Sequence, residues 1–216
     1  EIGGSLVGSE MCIRDRPHIG AWNVARLLES MAPLMEDVGR LQPVLDHYME
    51  FAMNAQSETW AEKLGLGTLR ESDEPLVNDL LDLLGATEVD MTLFFRHLCS
   101  INEPDVAHVA DAFYEGSEPD TSAWNRWLKR WWERVDGQPD RDGMRRANPK
   151  YVLRNWMAQL AIDAAEERDD FSVAEELHEL LKRPYDEQPE HEAKWFQKRP
   201  EWARHRVGCS MLSCSS

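Results

Sequence analysis

Residues 121–135 read Thr-Ser-Ala-Trp-Asn-Arg-Trp-Leu-Lys-Arg-Trp-Trp-Glu-Arg-Val. Trp124, Trp127, Trp131 and Val135 recur every three or four residues, which places them on one face of an α-helix. Burying one tryptophan side chain removes about 200 Å² from water and contributes roughly 5 kcal/mol before entropy is subtracted. The stretch therefore predicts a helix whose aromatic face packs in the core.

The same stretch has a second interpretation, because aromatic side chains also stack on nucleic-acid bases. Arg126, Lys129, Arg130 and Arg134 lie between the tryptophans. However, the chain carries a formal net charge of −16, and this charge repels phosphates and anionic membrane surfaces. The sequence also has no apolar run long enough to span a bilayer. We therefore expect core packing, with neither nucleic acid nor membrane as a partner.

Outward from this stretch, apolar residues keep helical spacing through most of the chain, and no strand-like alternation persists. The 216 residues are 42% hydrophobic and 30% charged, enough to build a sizeable core in about one domain. The fold class that follows is all-α, with roughly seven or eight helices. They are predicted near residues 20–35, 41–64, 74–84, 90–98, 105–114, 121–135, 149–168 and 172–183.

Boundary signals define several of these helices. Glycine favours helix ends, whereas Asp, Asn and Ser favour helix starts and proline favours the first helical position. In the first two helices, Trp22, Leu27, Met31, Val44 and Phe51 are expected to face inward. The predicted boundaries, in chain order, are ends at Gly65, Gly67 and Gly85, a cap at Thr87 with Asp90, a start at Asn148-Pro149, a capping box from Ser172 to Glu175, and an end at Pro184.

Two segments are set apart from the helical body, which covers residues 17–184. Residues 1–16 read EIGGSLVGSEMCIRDR, which resembles a translated sequencing adapter rather than a signal peptide, since it lacks a basic start and a long apolar run. We expect these residues to be foreign and leave them, with Cys12, out of the fold prediction. Residues 185–216 are rich in Pro, Glu and Lys with scattered Trp, and we expect an irregular tail.

The cysteines carry the remaining candidate chemistry. Four cysteines in 216 residues do not make a disulfide scaffold, so a reducing cytoplasm is the expected location. Cys209 and Cys214 lie in the tail, where an exposed thiol would titrate near pH 8.5. They could form a small ring, one could bridge to the folded body, or both could be incidental thiols on a frayed end. Cys99 is expected in the core or at its boundary.

Other candidate sites are weaker. His191 and His205 with the two tail cysteines could ligate zinc, but a closely spaced pair of ligands is missing, so no metal site is predicted. The acidic residues of 166–170 are interpreted as solvated. No phosphate-binding loop and no kinase-type catalytic loop occurs in the sequence. We therefore assign no catalytic or cofactor-binding residue within this chain.

Several short blocks together resemble the C-terminal part of the selenoprotein O family. The blocks are Pro17-His18-Ile19-Gly20-Ala21-Trp22-Asn23, Asn148-Pro149, Leu153-Arg154-Asn155-Trp156-Met157-Ala158-Gln159, Arg183-Pro184-Tyr185-Asp186, Pro200-Glu201-Trp202 and Ser213-Cys214-Ser215-Ser216. Each block alone is modest, but their order and shared terminus are specific. The resemblance implies a protein-kinase-like fold, of which this chain would be the helical C-terminal lobe.

The resemblance also implies an activity. Members of this family transfer AMP from ATP to Ser, Thr or Tyr hydroxyls of protein substrates, with Mg²⁺ or Mn²⁺ bound. Their catalytic, ATP-binding and metal-binding residues precede the motif that begins here at Pro17, so no bound ATP or metal is expected on this chain alone. Cys214 matches the family's redox position, and Cys209 is an additional thiol. The alternative hypothesis is a stand-alone helical interaction or redox-sensing module without catalysis.

Overall fold

The computed structural model describes residues 7–35, 37–206 and 209, with side chains from Pro17 onward. The α-helices are α1 Val7–Met31, α2 Leu41–Lys63, α3 Glu74–Ala86, α4 Met91–Leu98, α5 Thr121–Arg134, α6 Arg141–Ala147, α7 Asn155–Arg168, α8 Ser172–Leu181, α9 Pro189–Trp195 and α10 Glu201–Arg204. Short 3₁₀-helices cover Ala32–Leu34, Val38–Arg40, Glu71–Asp73 and Val106–Ala112. No strand occurs among the described residues, where the one isolated bridge pairs Val89 with Phe113. The all-α prediction is confirmed.

The tryptophan face of α5 lies at the centre of the larger core cluster. Trp124, Trp127 and Trp131 are buried against side chains of α2, α3 and α4. Two indole N–H groups donate to backbone carbonyls, Trp127 to Leu76 and Trp131 to Leu64, both at 2.8 Å. Because these polar atoms are paired as well as buried, the aromatic row is unavailable for base stacking, and the core prediction is confirmed.

A second, smaller core cluster is formed by the C-terminal helices. Trp156 of α7 and Trp195 of α9 stack with ring centroids 5.9 Å apart, and α8 and α10 close the cluster with Leu180 and Ala203. The expectation of an irregular tail beyond residue 184 is therefore wrong in part, because α9 and α10 fold there. Their burial against α7 and α8 supplies stability that such short helices lack in isolation.

Boundary signals that act locally are confirmed. Gly65 and Gly67 adopt φ of +63° and +72° after α2, a backbone conformation that glycine adopts without steric cost. Asp90 caps α4, with its carboxylate accepting from the backbone N–H of Leu93 at 3.0 Å. Thr87, which was predicted to share this cap, instead follows the last residue of α3.

Three other boundary predictions are wrong. Gly85 lies inside α3, which continues to Ala86. The capping box at Ser172 does not form, because the backbone N–H of Ser172 donates to the Asp170 carboxylate at 2.9 Å and the residue preceding α8 is Phe171. The predicted helix start at Asn148 lies instead at the end of α6, a helix that the sequence analysis missed.

The chain after Asn148 is held extended by contacts with distant residues. The backbone N–H groups of Lys150 and Tyr151 both donate to the carbonyl of Pro184, at 2.8 and 3.0 Å. Helix α7 therefore begins only at Asn155, preceded by Arg154 with no side-chain cap. Long-range hydrogen bonds have overridden a favourable local start signal.

Helices α1 and α2 form a long antiparallel pair at the edge of the molecule. A Cβ atom at Gly20 would lie 1.9 Å from the Tyr48 hydroxyl, so glycine permits this close approach. Helix α1 begins at Val7 rather than near Gly20 and contains Pro17. The prediction that Trp22 and Phe51 face inward is wrong, since they are 61% and 67% exposed. The same correction applies to Leu27, Met31 and Val44.

Among the described residues, no helix combines the length and hydropathy that a bilayer crossing requires.

Candidate functional site

The C-terminal segment is attached to the helical body by buried ion pairs. Arg154, 7% exposed, binds the equally buried Asp90 through two nitrogens, one of them at 2.9 Å, and also donates to the carbonyl of Gln197 at 2.9 Å. Glu88 accepts from Arg199 and Arg204, each at 2.8 Å. Glu88 and Asp90 precede α4 and Arg154 precedes α7, whereas the other three groups belong to the tail: Gln197, Arg199 and Arg204. These bonds therefore fix the path of residues 197–204.

A second set of buried bases holds residues 185–192. Lys150, 4% exposed, donates to Glu187 at 2.8 Å and to Glu192 at 2.7 Å. Arg96 donates to the carbonyls of Asn148 and Tyr185, at 3.0 and 3.2 Å, and pairs with Glu187. The paired lysine lowers the pKa of the Glu187 carboxyl below its ordinary value against the opposing effect of burial. Sequence reasoning missed Arg96 and Lys150, since lysine and arginine are seldom buried and the partners of these two lie 37 to 91 residues away.

Cys209 lies at the end of this anchored segment. Its side chain is 1% exposed and belongs to the smaller core cluster, and its backbone N–H donates to the carbonyl of Arg206 at 3.1 Å. Burial raises the pKa of the Cys209 thiol, although the Arg206 guanidinium acts in the opposite direction. The expectation of an exposed thiol is therefore wrong for Cys209. Cys214, the predicted redox residue, lies outside the described residues, as does the side chain of Cys12.

A cavity of about 650 Å³ lies between α1, α2, α4 and residues 148–152. Lys63, at the end of α2, donates from Nζ to the Asn148 side-chain oxygen at 2.7 Å and lies 4.5 Å from the centre of the Phe95 ring. The Asn148 amide in turn donates to the carbonyl of Lys63 at 2.9 Å. Burial lowers the pKa of Lys63 from 10.5 to about 8, because a desolvated ammonium loses the hydration that stabilises its charge.

Cys99 lies close to this pair and is 1% exposed, as the sequence analysis expected for a core or boundary position. Its thiol donates to the carbonyl of Phe95 at 3.1 Å. Burial raises the pKa of Cys99, which keeps the thiol protonated and poorly nucleophilic. The cavity wall therefore includes an amine of lowered pKa, whereas the nearby Cys99 thiol is buried outside it.

The described residues do not fit a catalytic metal. They contain no group of three or more His, Cys, Asp or Glu side chains that could surround an ion. Glu166, Glu167 and Asp169 are exposed, as predicted. His191 pairs with the Glu176 carboxylate at 3.4 Å rather than with a cysteine. We therefore derive no reaction step through a metal in this part of the chain.

Comparison with known proteins gives the family. A family model described as protein adenylyltransferase SelO matches residues 8–182. A Flavobacterium johnsoniae protein named protein nucleotidyltransferase YdiU is 41% identical over 215 residues, covering 94% of this chain and 41% of that protein. Proteins of the same name from Xanthomonas axonopodis pv. citri and Rhodopirellula baltica are 42% and 43% identical, covering 93% of this chain and 40% and 41% of their own lengths.

The chain thus spans about two fifths of the length of these curated relatives. The family match extends over the larger core cluster, the part of the smaller cluster up to residue 182 and the whole of α2 to α8. Because it covers most of the 216 residues, the chain belongs to the SelO family of protein adenylyltransferases.

Proposed function

We propose that this chain is the helical C-terminal part of a protein adenylyltransferase that transfers AMP from ATP to Ser, Thr or Tyr hydroxyls of protein substrates. The observation that carries the proposal is the SelO family match over residues 8–182, combined with relatives of which this chain spans about two fifths. The residues that bind ATP and Mg²⁺ or Mn²⁺ belong, in this proposal, to the remaining three fifths. The enzyme acts in the cytoplasm, where ATP is available and thiols are kept reduced.

The chemistry of nucleotidyl transfer supports this division. The reaction depends on positioning the nucleotide and on stabilising charge with metal ions and basic groups. Here the most buried bases, Arg96, Lys150 and Arg154, are occupied by carboxylates of the same chain. These ion pairs hold distant segments of the chain together and give the enzyme a rigid scaffold. Cys214 is the residue to which we assign redox control, by its match to the family position.

The test uses a fusion in which this chain replaces the matching part of the Flavobacterium johnsoniae relative. The fusion and the 216-residue chain are each incubated with Mg²⁺ and ATP labelled at the α- or the γ-phosphate. Transfer of AMP joins the α-phosphorus to a hydroxyl oxygen and releases pyrophosphate, so only the α-label stays on protein. We expect α-labelling and a mass increase of one AMP in the fusion, and neither in the chain alone.

Other outcomes would contradict the proposal in distinct ways. Retention of the γ-label would show phosphoryl transfer instead of AMP transfer. Labelling of the 216-residue chain alone would place the nucleotide site within it. A folded fusion that stays unlabelled, beside an active intact relative, would favour the stand-alone interaction or redox-sensing module.

A further inference from the structure

The exposed apolar surface of this chain is concentrated at one end of the molecule. Among the described residues, nine of the fifteen exposed large apolar side chains lie between Ile19 and Met53, on α1, α2 and the turn that joins them. Among the described side chains from Pro17 to Thr59, none is buried. Two long helices that bury so little have weak support from packing, and large exposed apolar areas mark contact surfaces. The α1–α2 face, defined by the exposed apolar side chains of both helices, including Trp22, Leu27, Val44 and Phe51, therefore lacks a partner among the described residues.

The cavity beside this face has the size and lining of a binding site. Its volume of about 650 Å³ falls within the range of roughly 300–1,000 Å³ found for ligand sites. It is continuous with the face, because its wall includes Pro17 of α1 and Tyr48 and Ala52 of α2. On the opposite side it reaches Val152, which is 37% exposed. The cavity and the α1–α2 face are therefore built on the same two helices.

One charged group in the cavity wall lacks a counter-charge. The Lys63 ammonium has three donors, and only one of them has an acceptor among the described residues, the neutral Asn148 side chain. No carboxylate among those residues lies within ion-pair distance of Lys63. By contrast, Lys150, which is 4% exposed, pairs with two carboxylates. The neutral Asn148 amide and the Phe95 ring compensate only part of the cost of burying the Lys63 cation, and a carboxylate placed beside it would be strongly favoured.

The length of the relatives bears on what covers this surface. Each is about two and a half times as long as the stretch of it that this chain spans, so most of a SelO-family protein lies outside this chain. We propose that the α1–α2 face and its cavity are the contact surface for that remaining part, and that an apolar segment of it carries a carboxylate that pairs with Lys63. The inference rests on family membership and not on AMP transfer, so it can fail while the proposed activity holds.

The test compares the 216-residue chain with the fusion described above, in which it replaces the matching part of the Flavobacterium johnsoniae protein. Hydroxyl-radical oxidation reports the exposure of Trp22 and Phe51, with Phe171 and Trp202 as exposed controls outside α1 and α2. We expect Trp22 and Phe51 to be oxidised several-fold less in the fusion, and the two controls to react equally in both proteins. This readout requires no nucleotide.

Competitive acetylation tests the charge pairing in the same samples. A carboxylate that raises the Lys63 pKa by one unit lowers its free-amine fraction, and hence its labelling near neutral pH, about tenfold. Lys182, an exposed lysine directly after α8, is the control. In the fusion, Lys63→Met should also restore oxidation of Trp22 and Phe51, whereas Lys182→Met should not.

Three results would overturn the inference. Equal oxidation of Trp22 and Phe51 in both proteins would show that the face is not a contact surface within the enzyme. Protection that appears in the chain alone and grows with its concentration would assign the face to a second copy. Protection of Trp22 and Phe51 without a rise in the Lys63 pKa would show that no carboxylate of the covering segment pairs with Lys63. If the fusion does not fold, the apolar residues aligned with Trp22 and Phe51 in the intact relative must be protected for the inference to stand.

Discussion

At the scale of single residues, buried charged groups determine how distant segments meet. Asp90 combines two roles, since it caps α4 and pairs with Arg154 at a site where both side chains are almost fully buried. A buried ion pair is not strongly stabilising relative to apolar packing, but removing one partner leaves the other charge uncompensated. Asp90 and Arg154 therefore specify the fold more than they stabilise it.

This reasoning predicts a large effect for Asp90→Ala. Arg154 would be left buried without a counter-ion and α4 would lose its cap, which together cost about 3–5 kcal/mol of the free energy of unfolding. Asp79→Ala is the matched control, because Asp79 pairs with Arg130 where both are about half exposed, and it should cost at most about 1 kcal/mol. Urea unfolding followed by circular dichroism measures both. Equal midpoints for the two variants would contradict the prediction.

Lys63 predicts a pH dependence of stability. Its pKa is about 8 in the folded chain and near 10.5 when unfolded. Below pH 8 both states hold the proton. Between pH 8 and 10.5 only the unfolded state holds it, so this group makes the free energy of unfolding rise with pH, by on the order of 2–3 kcal/mol.

Comparison with Lys63→Met isolates this contribution, because other groups also titrate in the same range. The difference in stability between the original chain and Lys63→Met should shift in favour of the original chain as the pH rises from 8 to 10.5. The control Lys182→Met changes an exposed lysine. The difference in stability between the original chain and Lys182→Met should stay constant with pH. Midpoints of urea unfolding, measured for the original chain and both variants at half-unit pH intervals, test this prediction.

At the scale of elements, α5 shows how a strong local pattern and tertiary packing agree. Its N-terminus is capped by Asp120, whose carboxylate accepts from the backbone N–H of Ala123 at 3.0 Å, and its aromatic face fills the larger cluster. Helix α1 shows the opposite case. Its apolar residues also recur at helical spacing, yet they remain exposed because the described chain offers them only the edge of α2 and α3.

The two helices therefore predict different sensitivities to the same substitution. Trp127→Ala removes a buried ring and its hydrogen bond to the carbonyl of Leu76, and should cost about 3–5 kcal/mol. Trp22→Ala in the isolated chain removes a ring that is 61% exposed, and should change the free energy of unfolding by about 0.5 kcal/mol or less. Thermal unfolding of both variants tests this. A large loss for Trp22→Ala would show that α1 packs more tightly than described.

At the scale of the whole molecule, the C-terminal segment is a folded part of the body. Arg199 and Arg204 lie on either side of the start of α10 and share Glu88, which precedes α4. Cys209 is buried a few residues farther along the chain. Burial of this thiol is thus linked to an ion-pair network that is distant in sequence.

This link predicts that Glu88→Gln exposes Cys209. The neutral amide weakens the bonds by which both arginines hold the segment to Glu88, so the segment opens more often and the thiol becomes accessible. We expect the rate of alkylation at Cys209, measured by mass spectrometry of its peptide, to rise at least about tenfold, which corresponds to about 1.4 kcal/mol of local stability. Glu179→Gln, at an exposed pair with Lys182, should leave the rate unchanged. No change in Glu88→Gln would contradict the link.

The sequence alone determined the features that depend on neighbouring residues and on short motifs. The α5 face, the Asp90 cap and the glycines after α2 were predictable because each involves contacts within about four residues. Family membership was predictable from short blocks read in order. These signals carry no information about which apolar face finds a partner.

Only the tertiary structure decided what depends on contacts between distant residues. The backbone bonds from Lys150 and Tyr151 to Pro184 delayed the start of α7, and buried ion pairs folded a tail that lacks periodicity. The same packing buried Cys209, left Trp22 exposed and brought Lys63 to Asn148, 85 residues away. Burial and long-range pairing lower the free energy of the whole chain, so they can override local preference and cannot be read from it.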